Sequence, residues 1–152
     1  RNRNISDNSS EDDCISFFRE LGDYCKDKNV TIYVEPNSKL YTNYLNHIKE
    51  AGNIVIKINN DNIKLMADIG HLNEDDLIDM IKYKDIIGNI DVSTQGMKPF
   101  TKGNISKLHE DFCKVIKDIN YDGVINLEML SSDHELDDLS SSLFNFINMY
   151  GV

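Results

Sequence analysis

The sequence predicts an α/β fold of the (β/α)8 type, with chain enough for about four strand–helix units, half of such a barrel. Three observations predict it. A leading amphipathic helix is followed four times by a short β-branched segment and then a helical one. The strand-like segments start about 22–38 residues apart, as βα units do. They are also mostly apolar, without a regular polar alternation, which is how strands buried on both faces of a parallel sheet read.

Residues 1–10 are polar and predict a loop. Ser10 stands where an N-cap belongs, and Glu11, Asp12 and Asp13 follow in a first turn where negative charge is favoured. Ile15, Phe18, Leu21 and Cys25 recur at helical spacing, so a helix is expected over about 11–28. Val30-Thr31-Ile32-Tyr33-Val34-Glu35 is β-branched and aromatic and stops at Pro36, which makes 30–35 the first strand. Residues 41–58 predict a helix over at least part of their length, although Gly52 and the run Ile54-Val55-Ile56 weigh against it. Asn59-Asn60-Asp61-Asn62 is a turn. The second strand, 63–68, closes on Asp68. Asn73 caps a helix expected over about 74–83, with Asp75, Asp76 and Asp79 on its solvent side. The third strand, 86–92, contains Asp91. Residues 93–104, with Gly96, Pro99 and Gly103, form a loop of a length that is often functional. A helix over 105–120 follows. Tyr121-Asp122-Gly123 then turns the chain into the fourth strand, 124–128, and a last helix covers about 134–149.

A chain of 152 residues suits a single domain or a fragment of one over 1–152. The formal net charge of −10 disfavours a nucleic-acid backbone and an anionic membrane surface, both of which need clustered Lys and Arg. It leaves room for a cation site. Cys14, Cys25 and Cys113 form no CxxC pair and lie in helical stretches, which predicts core thiols in a reducing cytoplasm. Nothing resembles a signal peptide, and no apolar run reaches the ~18 residues of a membrane helix. The opening Arg1-Asn2-Arg3-Asn4 lacks an initiator Met, which predicts a start inside a longer protein.

All four strands finish at or near a carboxylate: Glu35, Asp68, Asp91 and Glu128. In βα barrels the loops beyond the strand C-termini share one face, so these acids are expected to converge. Convergent carboxylates repel unless a cation or shared protons neutralise them, and a hard divalent metal with oxygen ligands satisfies them. Ordinary turn acids would give the same pattern. Asp68-Ile69-Gly70-His71 adds a histidine three residues after a strand-end aspartate, placed as a metal ligand or a donor to a substrate hydroxyl.

Val34-Glu35-Pro36-Asn37, Met66-Ala67-Asp68-Ile69-Gly70-His71 and Asn120-Tyr121-Asp122-Gly123-Val124-Ile125-Asn126-Leu127-Glu128 together resemble the xylose-isomerase-like sugar phosphate isomerase/epimerase family. Its fold is the (β/α)8 TIM barrel, and the order of these segments matches the second half. Arg1-Asn2-Arg3 resembles the stretch after the fourth strand in some members. The resemblance implies that Glu35, Asp68 and Glu128 fall on metal-ligand positions. It also implies that Glu35 and Glu128 are the acid/base pair flanking the substrate carbon, with the metal lowering the barrier to an enediolate. His71 falls on a histidine that contacts metal or substrate. The sequence departs from the family at Gly88-Asn89-Ile90-Asp91-Val92-Ser93-Thr94, where Asp91 replaces an expected ligand histidine and Thr94 an acid. A ligand set of Glu35, Asp68, Asp91 and Glu128 suits Mn²⁺ or Mg²⁺ better than Zn²⁺.

The implied function is a metal-dependent isomerase or epimerase of a small sugar or sugar phosphate. Isomerisation or dehydration of an inositol-type ketone would use the same site. One alternative is a non-catalytic sugar-binding barrel that has lost its ligand histidine. The other, an AP-endonuclease-type phosphodiesterase, would need a histidine-rich zinc site. Of the four histidines, His47 and His134 are expected on helix surfaces and His109 on the helix before the fourth strand, and the charge is wrong for DNA. Four βα units leave two sheet edges and an open core, so the expected partners include a missing half-barrel or a second copy.

Overall fold

A computed structural model describes residues 10–151. The loop expected over 1–10, apart from Ser10, and the resemblance at Arg1-Asn2-Arg3 lie outside the described residues. The elements run α1 (Glu11–Cys25), β1 (Ile32–Val34), α2 (Ile48–Ile58), β2 (Ile63–Asp68), α3 (Glu74–Lys82), β3 (Ile87–Val92), α4 (Lys107–Asp118), β4 (Ile125–Leu127) and α5 (Glu135–Tyr150). Single 3₁₀ turns follow α1, β2 and α3.

All four strands are parallel and pair in chain order, β1-β2-β3-β4. A doubly wound sheet reverses its strand order and carries helices on both faces. An order without reversal is the winding of a βα barrel, with the helices outside. Along β2, Ile63, Leu65 and Ala67 are buried while Lys64 and Met66 are only half-buried. The apolar sequence pattern predicted burial on both faces, but only the helix side is dry. The other face carries Tyr33, Lys64, Met66, Asn89, Asp91 and Asn126 in matching register, and it is the inner face of the barrel.

The core lies between sheet and helices. Val34, Leu65, Ile90 and Val92 meet Ile48, Ile54 and Ile58 of α2, Met80 of α3 and Phe112 of α4 in one cluster. Each such side chain contributes about 1.5–3 kcal/mol of burial. Helix α1 starts as the sequence predicts: Ser10 and Asp13 form a reciprocal capping box. The Arg19 guanidinium donates to the carbonyls of Lys57 and Ile58, satisfying the last turn of α2.

Of the stretch 41–58 expected to be helical at least in part, α2 covers Ile48–Ile58, because its start is fixed by a residue far away in sequence. The Asp76 carboxylate accepts the Ile48 N–H at 2.8 Å, and the preceding loop is held by Asn46 Nδ2, which donates to the carbonyls of Asn37 and Thr42. Asp76, expected on the solvent side of α3, is 2% exposed. It also accepts the Asn73 N–H and faces His47 Nδ1 at 3.4 Å, so it caps two helices at once. His47 is accordingly half-buried at the N-terminus of α2 and is not a free surface residue. Gly52 is tolerated within α2 because a Cβ there would come within 2.6 Å of the Tyr83 ring. The three cysteines are free thiols, with Cys25 and Cys113 buried. No helix among the described residues is long and apolar enough to cross a membrane.

Candidate metal centre

The site forms where β1 and β2 end. Glu35 follows β1 directly. Asp68 is the last residue of β2, and the 3₁₀ turn Ile69–His71 folds back over it. Asp68 caps that turn itself: its Oδ1 accepts the Gly70 N–H at 2.9 Å. The same oxygen accepts the Ser93 hydroxyl at 2.7 Å. Gly70 makes this approach possible, since a Cβ there would lie 2.1 Å from Ser93 Oγ. The turn carries His71 Nε2 to 3.5 Å from Asp68 Oδ2 and 4.0 Å from Glu35 Oε1.

Glu35, Asp68 and His71 each offer one ligand atom, and all three atoms lie within 4.8 Å of one another. Two carboxylates and an imidazole at this separation fit a divalent cation, with hard oxygen donors in the majority. Asp91 and Glu128 stand outside that group. Asp91 pairs in register with Asp68 on one side and Asn126 on the other. Its Oδ1 accepts from Asn89 Nδ2 and Asn126 Nδ2, both at 2.8 Å, so the amides beside it hold one of its oxygens. Glu128 extends the β4 pairing, donating its N–H to the Val92 carbonyl. Partial loss of solvent pushes its carboxyl above the ordinary range. Repulsion from Asp68 and Asp91 adds to this, and His71 opposes it. Glu128 therefore shares the electrostatic field of the cluster.

Beside the cluster lies a cleft of about 490 Å³, lined among others by Asn37, Tyr41, Thr42, His71, Ser93 and Gln95. Tyr41 meets the His71 ring edge-on at 6.2 Å. Residues 41–47 form a loop, and that loop carries Tyr41 and Thr42 over the strand ends. Thr94 is buried, and its hydroxyl donates to the Lys98 carbonyl within its own loop.

His109 also escaped the sequence reading. It is 5% exposed in the first turn of α4. Its Nδ1 accepts the Ser106 N–H at 3.0 Å, so the ring proton sits on Nε2, which donates to the Ser93 carbonyl at 3.1 Å. The Ser106-x-x-His109 spacing is the one signal that could have flagged it. Burial holds its pKa below the ordinary 6.5, against the opposing pull of its hydrogen bonds and of the Asp68 charge. Below about pH 6.5 the unfolded chain binds a proton that the folded chain resists. The resulting loss of stability grows as pH falls from there to the folded-state pKa. Urea unfolding between about pH 8 and pH 5 checks this: His109→Gln should flatten the acid-side loss of stability, and an unchanged slope would refute the assignment.

The family model of the xylose isomerase-like TIM barrel matches residues 1–147. None of the curated proteins compared matches the sequence. Among solved structures, a D-psicose 3-epimerase determined in the presence of D-fructose is 15% identical, with a TM-score of 0.76 over 97% of this chain and 61% of its own. A D-allulose 3-epimerase from Methylomonas sp. is 23% identical, with a TM-score of 0.72 over 93% of this chain and 50% of its own. An AP endonuclease of family 2 from Brucella melitensis is 19% identical, with a TM-score of 0.66 over 85% of this chain and 55% of its own. At these identities the likeness establishes the fold, and the chain spans about half to three fifths of each neighbour. The strand order, the acids at the strand ends and the match over 1–147 agree: the chain belongs to the xylose isomerase-like TIM barrel family.

Proposed function

We propose that this chain forms the cation-binding part of the active site of a sugar isomerase or epimerase. The observation that carries this reading is the meeting of Glu35, Asp68 and His71 ligand atoms within 4.8 Å. The sugar epimerases among the structural neighbours support it. Glu35, Asp68 and His71 would hold Mn²⁺ or Mg²⁺, with Asp91 and Glu128 as further carboxylate ligands. A bound divalent cation supplies electrophilic polarisation of substrate oxygens. Glu35 and Glu128 would take and return the proton at the carbon beside the carbonyl. Amides and hydroxyls of the cleft, among them Asn37, Tyr41 and Thr42, suit a polyol. The β1 and β4 edges have no outer neighbour among the described residues, and a complementary half-barrel would close the sheet there.

Incubation with a ketohexose and Mn²⁺ in deuterated water tests the chemistry. Deuterium should enter the substrate at the carbon next to the carbonyl, and Glu128→Gln should abolish that exchange. Exchange that survives in Glu128→Gln overturns the acid/base assignment. A second reading, a barrel that binds sugar without turning it over, draws on Asp91 and Thr94. One Asp91 oxygen is held by two amides, and the Thr94 hydroxyl is committed to Lys98. Ketose binding without any exchange in the unmodified protein would select this second reading.

A further inference from the structure

We infer that Ser93 and His109 are positioning residues that fix Asp68 so that it presents one oxygen, Oδ2, to a cation. This rests on the cation reading above. A free carboxylate rotates and can offer either oxygen or both. Asp68 cannot, because its Oδ1 is already taken by the Gly70 N–H at 2.9 Å and the Ser93 hydroxyl at 2.7 Å. The remaining oxygen, Oδ2, is the one that faces His71.

The Ser93 backbone is itself held. The Ser93 carbonyl accepts His109 Nε2–H at 3.1 Å, and the opposite ring nitrogen takes the Ser106 N–H at 3.0 Å. His109 belongs to α4 and Ser93 follows β3, so the first turn of α4 braces the end of β3 against Asp68 of β2. All the side chains of this relay are shielded: Asp68 and Ser93 are each 2% exposed and His109 is 5% exposed. Solvent therefore does not compete for these bonds. Phe100 packs edge-on against the His109 ring at 5.4 Å and keeps it from swinging away. Partners of this kind behind a ligand carboxylate govern its orientation and are worth about 10–100-fold in metal affinity.

Calorimetric titration of the whole chain with Mn²⁺ alone tests the relay. Ser93→Ala should weaken Mn²⁺ binding by about 10–100-fold while the melting midpoint in EDTA changes by only a few degrees, about what one lost hydrogen bond explains. Ser93→Thr keeps the hydroxyl and should retain affinity. His109→Gln leaves the hydroxyl in place but loosens its carbonyl anchor, so it should lose several-fold in affinity and serves as the second variant if Ser93→Ala fails to fold. Wild-type binding with unchanged affinity in Ser93→Ala and His109→Gln overturns the relay and leaves the cation site standing. A wild-type protein that takes up no Mn²⁺ overturns the cation site, and the relay falls with it.

Discussion

Asp68→Asn is expected to lower the affinity for Mn²⁺ by about 100-fold or more, beyond the loss from an outer-shell partner. The change is nearly isosteric. Asn keeps a side-chain oxygen that can accept from Gly70 N–H and Ser93 Oγ, so the turn Ile69–His71 and its cap remain satisfied. What disappears is the charge. In place of Oδ2, an amide NH₂ would face His71 and the cation position, and it is a donor with no lone pair to give. The neighbouring Glu128 would feel less repulsion, so the metal-free protein should be no less stable. Titration with Mn²⁺ reads the affinity, and urea unfolding in EDTA reads the fold. Undiminished affinity would mean that this aspartate does not face a cation.

Phe100→Ala is expected to cost about 3–5 kcal/mol of stability. The ring is fully buried, at 0% exposure, although it sits in the long loop after β3. It meets His109 at 5.4 Å, Tyr150 at 6.1 Å and Phe146 at 6.4 Å, joining α4 to α5. Its backbone is fixed as well: the N–H donates to Ser142 Oγ at 2.8 Å and the carbonyl accepts Asn145 Nδ2 at 3.0 Å. With the backbone pinned, the loop cannot collapse into the space the ring leaves, which puts the cost at the upper end for such truncations. Domains are stable by about 5–15 kcal/mol, so this loss is a large share of the whole. Ile78, which is 69% exposed on α3, is the control: Ile78→Ala should stay within about 0.5 kcal/mol. Equal effects of the two changes would contradict the core assigned here.

Local signals were legible and long-range ones were not. Strand β2 matches its expected bounds, 63–68, because it has a neighbour on both sides and a turn before it. Strands β1 and β4 are shorter than the expected 30–35 and 124–128, since each pairs on one side only. The start of α2 could not be read, because its cap, Asp76, lies 28 residues downstream. The Asp-x-x-His spacing brings the Asp68 and His71 side chains together, because a single 3₁₀ turn after β2 settles their geometry. Ser93 and His109 are 16 residues apart and meet only once α4 packs beside β3, so no local pattern announces them. Asp91 was legible as a strand-end acid, whereas its hold by Asn89 and Asn126 depends on β3–β4 register.

Glu35, Asp68 and His71 are proposed to form one cation site. Direct Mn²⁺ uptake by EDTA-stripped protein, read together with its melting midpoint, tests it most directly. The site predicts uptake of about one Mn²⁺ per chain and a melting midpoint that rises with Mn²⁺ concentration, because a ligand that binds only the folded state stabilises it. No uptake and an unmoved midpoint would contradict the claim.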